Sequence, residues 1–267
     1  MAWLRRIATW AGLACMIMAS PPFSWAIDLV FGFIFLLWII SSHTEEGSKR
    51  RWFHNAIGLT FIALLMAMLF VELTHRRMPR IEATKTNRLV VIGDSVSAGL
   101  GERFEPWPNL MQQLTGVEVR NLSKPGATVA DGSAMADGVL SRDRLILIEL
   151  GGNDLLEGER PEIFASKLET LFAKLSASGR TVIMFELPLL PEMIPYGQAQ
   201  RRLARRFHVL LIPKRYLARI LSGRDATSDG LHLTDIGAHR MASTMAKILS
   251  PALKKIPAEP TSPAIHL

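Results

Sequence analysis

The chain has 267 residues, a formal net charge of +7 and a hydrophobic fraction of 49%, which is high for a wholly soluble protein. The apolar excess lies in about the first seventy positions, and residues 1–86 carry nine Lys and Arg against five Asp and Glu. The single cysteine, Cys15, excludes an internal disulfide and a cysteine metal cage. The basic residues flank apolar runs, so the charge gives no indication of nucleic-acid binding.

Three apolar runs occupy the amino-terminal region, at residues 7–19, 23–40 and 56–71. A membrane-spanning helix needs about 20 apolar residues, with about 17 tolerated, so the second and third runs qualify and the first is borderline. We therefore predict a membrane region over residues 1–73, with two or three helices at about 7–19, 23–40 and 54–73. A basic tether follows at residues 74–86.

The side of the membrane reached by the remaining chain depends on the first run. If residues 7–19 span the bilayer or act as a signal segment, the positive-inside rule places the basic residues at 5–6 and 49–51 in the cytoplasm and the carboxyl domain outside. Otherwise the domain is cytoplasmic, and the basic residues at 76–85 fit the rule better. Pro21 and Pro22 suit a tight hairpin between short helices. We therefore expect an extracytoplasmic domain anchored in a bacterial-type inner membrane.

Strands and helices alternate along residues 87–250. Short apolar runs predict strands at 89–92, 117–122, 145–150, 181–186 and 209–212. Amphipathic or capped segments predict helices at 107–115, 128–140, 161–178, 198–207 and 234–249, with a proline-rich loop at 188–196. This alternation predicts an α/β fold, a three-layer αβα domain with a five-stranded parallel sheet whose strand-end loops share one edge. A disordered tail is expected at 251–267.

A candidate nucleophile follows the first predicted strand, in the sequence Gly93-Asp94-Ser95. A serine at the carboxyl end of a parallel strand lies where open α/β sheets bind ligands. The alternative is a serine that merely caps the next helix. Ser97 stands where an α/β-hydrolase nucleophile elbow requires glycine, and no lysine follows as a phosphate loop would need.

Three further polar segments lie in loops that a parallel sheet would bring to the same edge. These are the loop around Gly126, the run Gly151-Gly152-Asn153-Asp154, and Asp229 with His232 three residues later. An aspartate at this spacing can hydrogen-bond the imidazole and fix its tautomer. Each segment alone is weak evidence, and their order along the chain makes them informative.

These four segments, in this order, resemble the blocks of the SGNH (GDSL) hydrolases, over residues 88–249. The run from Glu149 to Asp154 is most similar to the bacterial thioesterase, lysophospholipase and arylesterase branch of that family. The resemblance implies a flavodoxin-like fold in which Ser95 is the nucleophile, His232 the general base and Asp229 its orienting partner. It also implies an oxyanion hole formed by the backbone N–H groups of Ser95 and Gly126 and the side-chain amide of Asn153.

Other acids compete for these roles. We interpret Asp94 and Asp154 as acceptors that brace their loops, and expect Glu149 and Glu186 to pair with donors at the sheet edge. A zinc site would recruit the carboxylates and imidazoles of the last loop and helix, but the serine segments disfavour it. The residues of that alternative are Asp229, His232, Asp235 and His239. We expect no metal and no cofactor.

The sequence therefore predicts a membrane-anchored serine hydrolase of acyl esters or thioesters. Its expected partners are a small-molecule or lipid ester substrate and the membrane, without nucleic acid. Apolar residues at 187–194 favour an acyl chain over a sugar. Removal of O-acetyl groups from a cell-envelope polysaccharide is the alternative activity, and a catalytically inactive membrane scaffold is the alternative of another class.

Overall fold

The computed structural model describes residues 25–42, 48–82, 84, 86–99, 105–177 and 179–253. The chain forms two compact units, one made of Met1–Met78 with Pro188–Arg202 and the other of Pro79–Leu187 with Leu203–Leu267. The predicted helix at 7–19 and most of the predicted tail at 251–267 lie outside the described residues.

The described part of the chain contains ten α-helices and five β-strands. The strands are β1 Arg88–Gly93, β2 Glu118–Asn121, β3 Leu145–Glu149, β4 Thr181–Phe185 and β5 Leu210–Ile212. The helices are α1 Trp25–Ser42, α2 Ser48–His75, α3 Ser95–Ala98, α4 Trp107–Thr115, α5 Val129–Met135, α6 Gly152–Leu156, α7 Pro161–Leu175, α8 Ile194–Phe207, α9 Arg215–Leu221 and α10 Asp235–Leu249. Short 3₁₀ turns lie at Ala136–Gly138 and Pro191–Met193.

In the first unit, α1 and α2 pack against each other through aromatic side chains. The rings of Phe31 and Phe61 lie 4.7 Å apart and are buried together with Met68. A Cβ on Gly58 would stand 3.0 Å from Nε1 of Trp38, so glycine allows this close approach of the two helices. The hairpin therefore has an apolar core of its own.

One helical segment of the described residues, Trp52–His75, is long and apolar enough to cross a membrane, with a mean hydropathy of 2.4. Only 17% of its most apolar window is buried within the protein. In α1 the continuous apolar segment, Leu29–Ile40, is shorter. At 1.5 Å per residue such a segment covers about 18 Å, which is less than the hydrocarbon thickness of about 30 Å. The structure thus supports one candidate span, whereas the sequence predicts two or three.

A buried ion pair also lies within the first unit. Nη1 of Arg201 in α8 donates to Oε2 of Glu72 in α2 at 3.1 Å, and the side chains are 7% and 6% exposed. Removing one member of such a pair leaves an uncompensated buried charge, which typically costs about 3–5 kcal/mol. Residues 129 positions apart in the chain are thereby joined.

The second unit contains the five-stranded sheet that the sequence predicts. All neighbouring strands are parallel, in the order β2-β1-β3-β4-β5. Successive residues of β1 and β3 are buried, and since successive strand side chains point to opposite faces, both faces of the central sheet are covered. The direction of strand succession reverses between β1 and β3, which is where folds of this order bind their ligands.

The helix predictions differ from the structure in a few places. The helix at 107–115 is confirmed with its bounds, and Thr234 caps α10 as expected. The predicted loop at 188–196 is wrong in its second half, because α8 begins at Ile194 rather than at 198. Pro195 lies in the first turn of α8, where its missing N–H costs no helical hydrogen bond and its fixed φ suits the helix. The short helices α6 and α9 were not predicted.

Candidate active site

Ser95 is the first residue of α3, immediately beyond the carboxyl end of β1. Asp94 caps this helix, with Oδ1 accepting from the N–H of Val96 at 2.9 Å. A Cβ on Gly93 would lie 2.7 Å from Cβ of Ser97, so only glycine lets the chain fold back this closely. The Gly-Asp-Ser sequence thus makes a tight strand-to-helix turn that leaves Ser95 half-buried.

The loop before α10 places Asp229 against His232. Oδ2 of Asp229 lies 2.6 Å from Nδ1 of the imidazole, while Oδ1 accepts from the backbone N–H groups of His232 at 2.8 Å and Leu231 at 3.0 Å. These hydrogen bonds, first of all the one from the His232 backbone, hold the pKa of Asp229 well below its ordinary value. A carboxylate at Nδ1 keeps the proton there, so Nε2 of the neutral ring can accept another.

Ser95 and His232 line the same small pocket of the second unit, although 137 positions separate them in the sequence. The other lining residues include Glu105, Trp107 and Leu233. The pocket is therefore lined by a serine and a histidine, and the imidazole of that histidine is hydrogen-bonded to a carboxylate through Nδ1. These are the components of a serine nucleophile and its general base.

The predicted oxyanion donors lie on adjoining loops. Nδ2 of Asn153 donates to the carbonyl oxygen of Ala127 at 2.9 Å and lies 3.3 Å from Oδ2 of Asp94. Gly126 has a φ of +73°, which favours glycine, and a Cβ there would meet no atom within 4 Å. Within the described ranges, the N–H groups of Ser95 and Gly126 have no protein acceptor. Such donors suit the oxygen of a tetrahedral intermediate.

Other acids at this edge of the sheet accept hydrogen bonds from backbone N–H groups of neighbouring loops. Asp154 is buried, and its Oδ2 accepts from the N–H of Val129 at 2.9 Å at the start of α5. Burial raises the pKa of Asp154 and of Asp94 above the ordinary value. Oε2 of Glu186 lies 3.3 Å from the N–H of Lys214, a donor beyond β5. Each carboxyl group therefore connects two segments of the sheet edge.

Sequence reasoning missed the contact between Glu149 and Asp94. The two carboxyl groups lie close enough that the charge of Asp94 adds to burial in raising the pKa of Glu149, and Oε2 of Glu149 accepts from Oγ of Ser97 at 3.0 Å. Ser97 in turn accepts from Nε1 of Trp107 at 3.1 Å. The register of the parallel strands pairs Gly93 with Glu149, which brings the residue after Gly93 alongside. The sequence signal that could have revealed this contact is that both acids lie at the carboxyl ends of predicted strands.

The residues of the zinc alternative do not form one cluster in the structure. His232 is paired with Asp229, whereas Nδ1 of His239 lies 3.0 Å from the carbonyl oxygen of Asp235 and 3.4 Å from its Oδ1. Among the residues that the structure describes, no group of three or more His, Cys, Asp or Glu side chains is arranged to hold a metal ion.

Comparison with known proteins gives a consistent assignment. The model of the GDSL-like lipase/acylhydrolase family matches residues 91–240. An arylesterase of Vibrio mimicus is 31% identical over 164 residues, which cover 55% of this chain and 80% of that protein. Thioesterase 1/protease 1/lysophospholipase L1 of Escherichia coli K12 is 28% identical over 182 residues, covering 63% of this chain and 86% of that protein.

A likeness in three dimensions accompanies the sequence matches. The crystal structure of TesA superposes with a TM-score of 0.55 at 28% identity, covering 61% of this chain and 98% of TesA. The residues matched by the family model span more than half of the chain and include Ser95, Asn153 and His232. The chain therefore belongs to the GDSL-like lipase/acylhydrolase family of SGNH-type esterases.

Proposed function

We propose that this esterase is a membrane-anchored serine hydrolase that cleaves acyl esters or thioesters through Ser95, His232 and Asp229. The observation that carries the proposal is the 2.6 Å contact between Asp229 and Nδ1 of His232, with the imidazole on the same pocket wall as Ser95. This arrangement leaves Nε2 of His232 as the nitrogen able to take the proton of the Ser95 hydroxyl.

In the first half of the reaction, Oγ of Ser95 attacks the carbonyl carbon of the substrate while its proton passes to His232. The carbonyl oxygen becomes an oxyanion, which accepts from the N–H groups of Ser95 and Gly126 and from the Asn153 amide, whose Nδ2 exchanges its contact with the Ala127 carbonyl for the oxyanion. Collapse of the intermediate breaks the bond to the alkoxide or thiolate, and His232 gives that leaving group its proton. In the second half, water attacks the carbonyl carbon of the ester formed on Oγ of Ser95 and gives a proton to His232; the bond from Oγ to the acyl carbon then breaks, the carboxylic acid leaves, and His232 returns the proton to Ser95.

The chemistry of the chain favours a lipid or other long acyl substrate. Trp52–His75 is apolar over a length that suits a bilayer, so the enzyme would work beside a reservoir of lipid esters. Two relatives carry the names arylesterase and thioesterase 1/protease 1/lysophospholipase L1. The apolar residues at 187–194 also favour an acyl chain over a sugar, and among them Leu190 is 58% exposed.

A chain-length series tests this substrate class. The full-length protein in detergent micelles is assayed on acetyl, butyryl, octanoyl and dodecanoyl esters of p-nitrophenol and on a lysophospholipid. We expect kcat/KM to rise at least about tenfold from acetyl to octanoyl, because each buried methylene contributes about 0.8 kcal/mol. The Ser95→Ala variant is the blank. A maximum on the acetyl ester would instead support O-acetyl removal, and no turnover of any ester would support the inactive scaffold.

We further propose that the second unit lies on the extracytoplasmic side of a bacterial-type inner membrane. The proposal rests on basic residues at 5–6 and 49–51, which the positive-inside rule keeps in the cytoplasm. Alkaline phosphatase fused after Leu267 should be active, since it requires export, whereas green fluorescent protein at the same point should remain dark. The matched control places both reporters after Thr44, between α1 and α2. Fluorescence at Leu267 would reverse the topology.

A further inference from the structure

The buried carboxyl pair beside the nucleophile is not used in the reaction described above. Glu149 ends β3 and Asp94 follows β1, and each residue is 5% exposed. The backbone also joins them, since the N–H of Asp94 donates to the carbonyl oxygen of Glu149 at 3.2 Å. Two ionised carboxylates side by side in a buried site repel each other and lose their hydration, so this arrangement favours a proton on one of the two.

The surrounding contacts assign the proton to Glu149. Asp94 has donors for both of its oxygens, the N–H of Val96 at 2.9 Å and the Asn153 amide at 3.3 Å, so it is equipped to be the anion. Among the described residues, the Glu149 carboxyl accepts one side-chain hydrogen bond, from the Ser97 hydroxyl at Oε2, so a proton on its other oxygen would be free to be donated to Asp94. Burial raises the pKa of Glu149 well above its ordinary value, which agrees with this assignment.

We infer that Glu149 is a positioning residue that stays neutral and donates its carboxyl proton to Asp94. Asp94 then holds two parts of the catalytic machinery, the turn that carries Ser95 and the amide of Asn153. Observed hydrogen bonds run from the Trp107 indole to Ser97 and from Ser97 to Glu149, and the inferred bond from Glu149 to Asp94 completes this chain. This inference rests on the proposed roles of Ser95 and Asn153.

The neutral state of Glu149 has an electrostatic consequence. The oxyanion forms at the substrate carbonyl beside Ser95, one residue from Asp94. An ionised Glu149 would add a second negative charge next to Asp94, and this charge would repel the oxyanion. It would also leave Glu149 without the proton that it donates to Asp94. The other titratable groups that act on Asp94 are His232 and Asp154. We therefore expect the loss of the Glu149 proton to lower kcat on the alkaline side.

Two substitutions separate a neutral donor from an anion. In Glu149→Gln the amide N–H₂ replaces the carboxyl donor to Asp94, and the amide oxygen still accepts from Ser97. For this variant we expect kcat at pH 7 to be within about threefold of the wild-type value. We also expect its ratio of kcat at pH 9 to kcat at pH 7 to be at least as high as the wild-type ratio. Glu149→Leu keeps the size but removes both hydrogen bonds, so kcat should fall about a hundredfold, as for loss of an oxyanion donor, with KM within about threefold.

The Glu149→Gln variant also carries a stability readout that tests the protonation state of Glu149 independently of activity. Because the pKa of Glu149 is raised in the folded state, its contribution to stability is fully present below the ordinary glutamate pKa of about 4.3 and is lost as the pH rises through the folded-state value. Glu149→Gln has no proton to lose. Its Tm should therefore rise relative to wild type as the pH increases.

Glu186 provides the matched control, because it is also a buried carboxyl at a strand end, 4% exposed, after β4. Glu186→Gln should leave kcat and its pH profile unchanged. All variants are measured as full-length protein in detergent, beside Ser95→Ala. If Glu149→Gln is as impaired as Glu149→Leu at pH 7, the charge is needed and the inference is wrong; if Glu149→Leu retains wild-type kcat, the positioning role is wrong.

The outcomes also separate this inference from the proposed function. Activity that survives Ser95→Ala would overturn the assigned nucleophile whatever the Glu149 variants do. An inactive Ser95→Ala variant with both Glu149 variants at wild-type rates would overturn only the positioning role. If Glu149→Leu does not fold, the kcat, pH profile and Tm of the nearly isosteric Glu149→Gln variant still test the inference.

Discussion

Ser95→Ala should lower kcat for p-nitrophenyl butyrate by about 10⁴-fold or more without unfolding the protein. The substitution removes only the hydroxyl group, whose oxygen would form the covalent bond to the acyl carbon. Loss of a serine nucleophile removes the whole acyl-enzyme path, leaving the small acceleration that the oxyanion donors provide alone. A factor of 10⁴ corresponds to about 5 kcal/mol of transition-state stabilisation.

The measurement is steady-state hydrolysis by the full-length protein in detergent, with circular dichroism and Tm as checks on folding. Ser166→Ala is the matched control, because Ser166 is an exposed serine on α7 and its loss should leave kcat within about twofold. A fluorophosphonate should transfer its phosphonyl group to the serine oxygen with loss of HF, which adds the mass of that group to wild type and to Ser166→Ala but not to Ser95→Ala. Turnover by Ser95→Ala near the wild-type rate would remove Ser95 from the mechanism.

The part of the fold that positions the site could be predicted because its signals are local. The strands buried on both faces appear in the sequence as continuous apolar runs, and the Gly-Asp-Ser turn interrupts the first of them sharply. Parallel strands bring their carboxyl ends to one edge, so the loops carrying Ser95 and Asn153 were expected at the same edge, and the observed order of β1 next to β3 makes them neighbours. The Asp229 and His232 spacing is likewise a property of one short loop.

The contacts that could not be predicted depend on information that no single segment contains. The Asp94 and Glu149 pair requires the register of β1 against β3, which sets Gly93 beside Glu149. The Arg201 and Glu72 ion pair joins α8 to α2, and apolar patterning does not specify which charges meet across 129 positions. Burial then changes the chemistry, because a carboxyl group that is charged in water can keep its proton when it is buried.

The number of membrane spans stays a prediction for a related reason. Residues 23–40 contain enough apolar side chains to suggest a span, but the helix that forms, Trp25–Ser42, has a continuous apolar segment only over Leu29–Ile40. Its large side chains also pack on α2, as the 4.7 Å contact of Phe31 with Phe61 shows. Composition measures whether side chains are apolar, and it does not reveal whether they face lipid or another helix.

Asp229→Asn should lower kcat by about 10³- to 10⁴-fold at pH 7 while KM changes by no more than about threefold. The reason lies in the other contacts of the carboxylate. Oδ1 of Asp229 accepts from two backbone N–H groups, those of Leu231 and His232, at 3.0 and 2.8 Å. An asparagine must place its oxygen there, because its N–H₂ would oppose two donors. The N–H₂ group then faces Nδ1 of His232.

An amide donor at Nδ1 selects the tautomer of His232 that carries its proton on Nε2. That nitrogen can no longer accept the proton of the Ser95 hydroxyl, so the general base is lost although its geometry is intact. Asp235→Asn is the matched control, since Asp235 and His239 form a second, exposed Asp and His pair in α10, with Nδ1 and Oδ1 3.4 Å apart. The control should keep kcat within about twofold. Equal losses in the two variants would show that the effect is one of general charge or folding, and an active Asp229→Asn enzyme would show that Asp229 does not set the tautomer of His232.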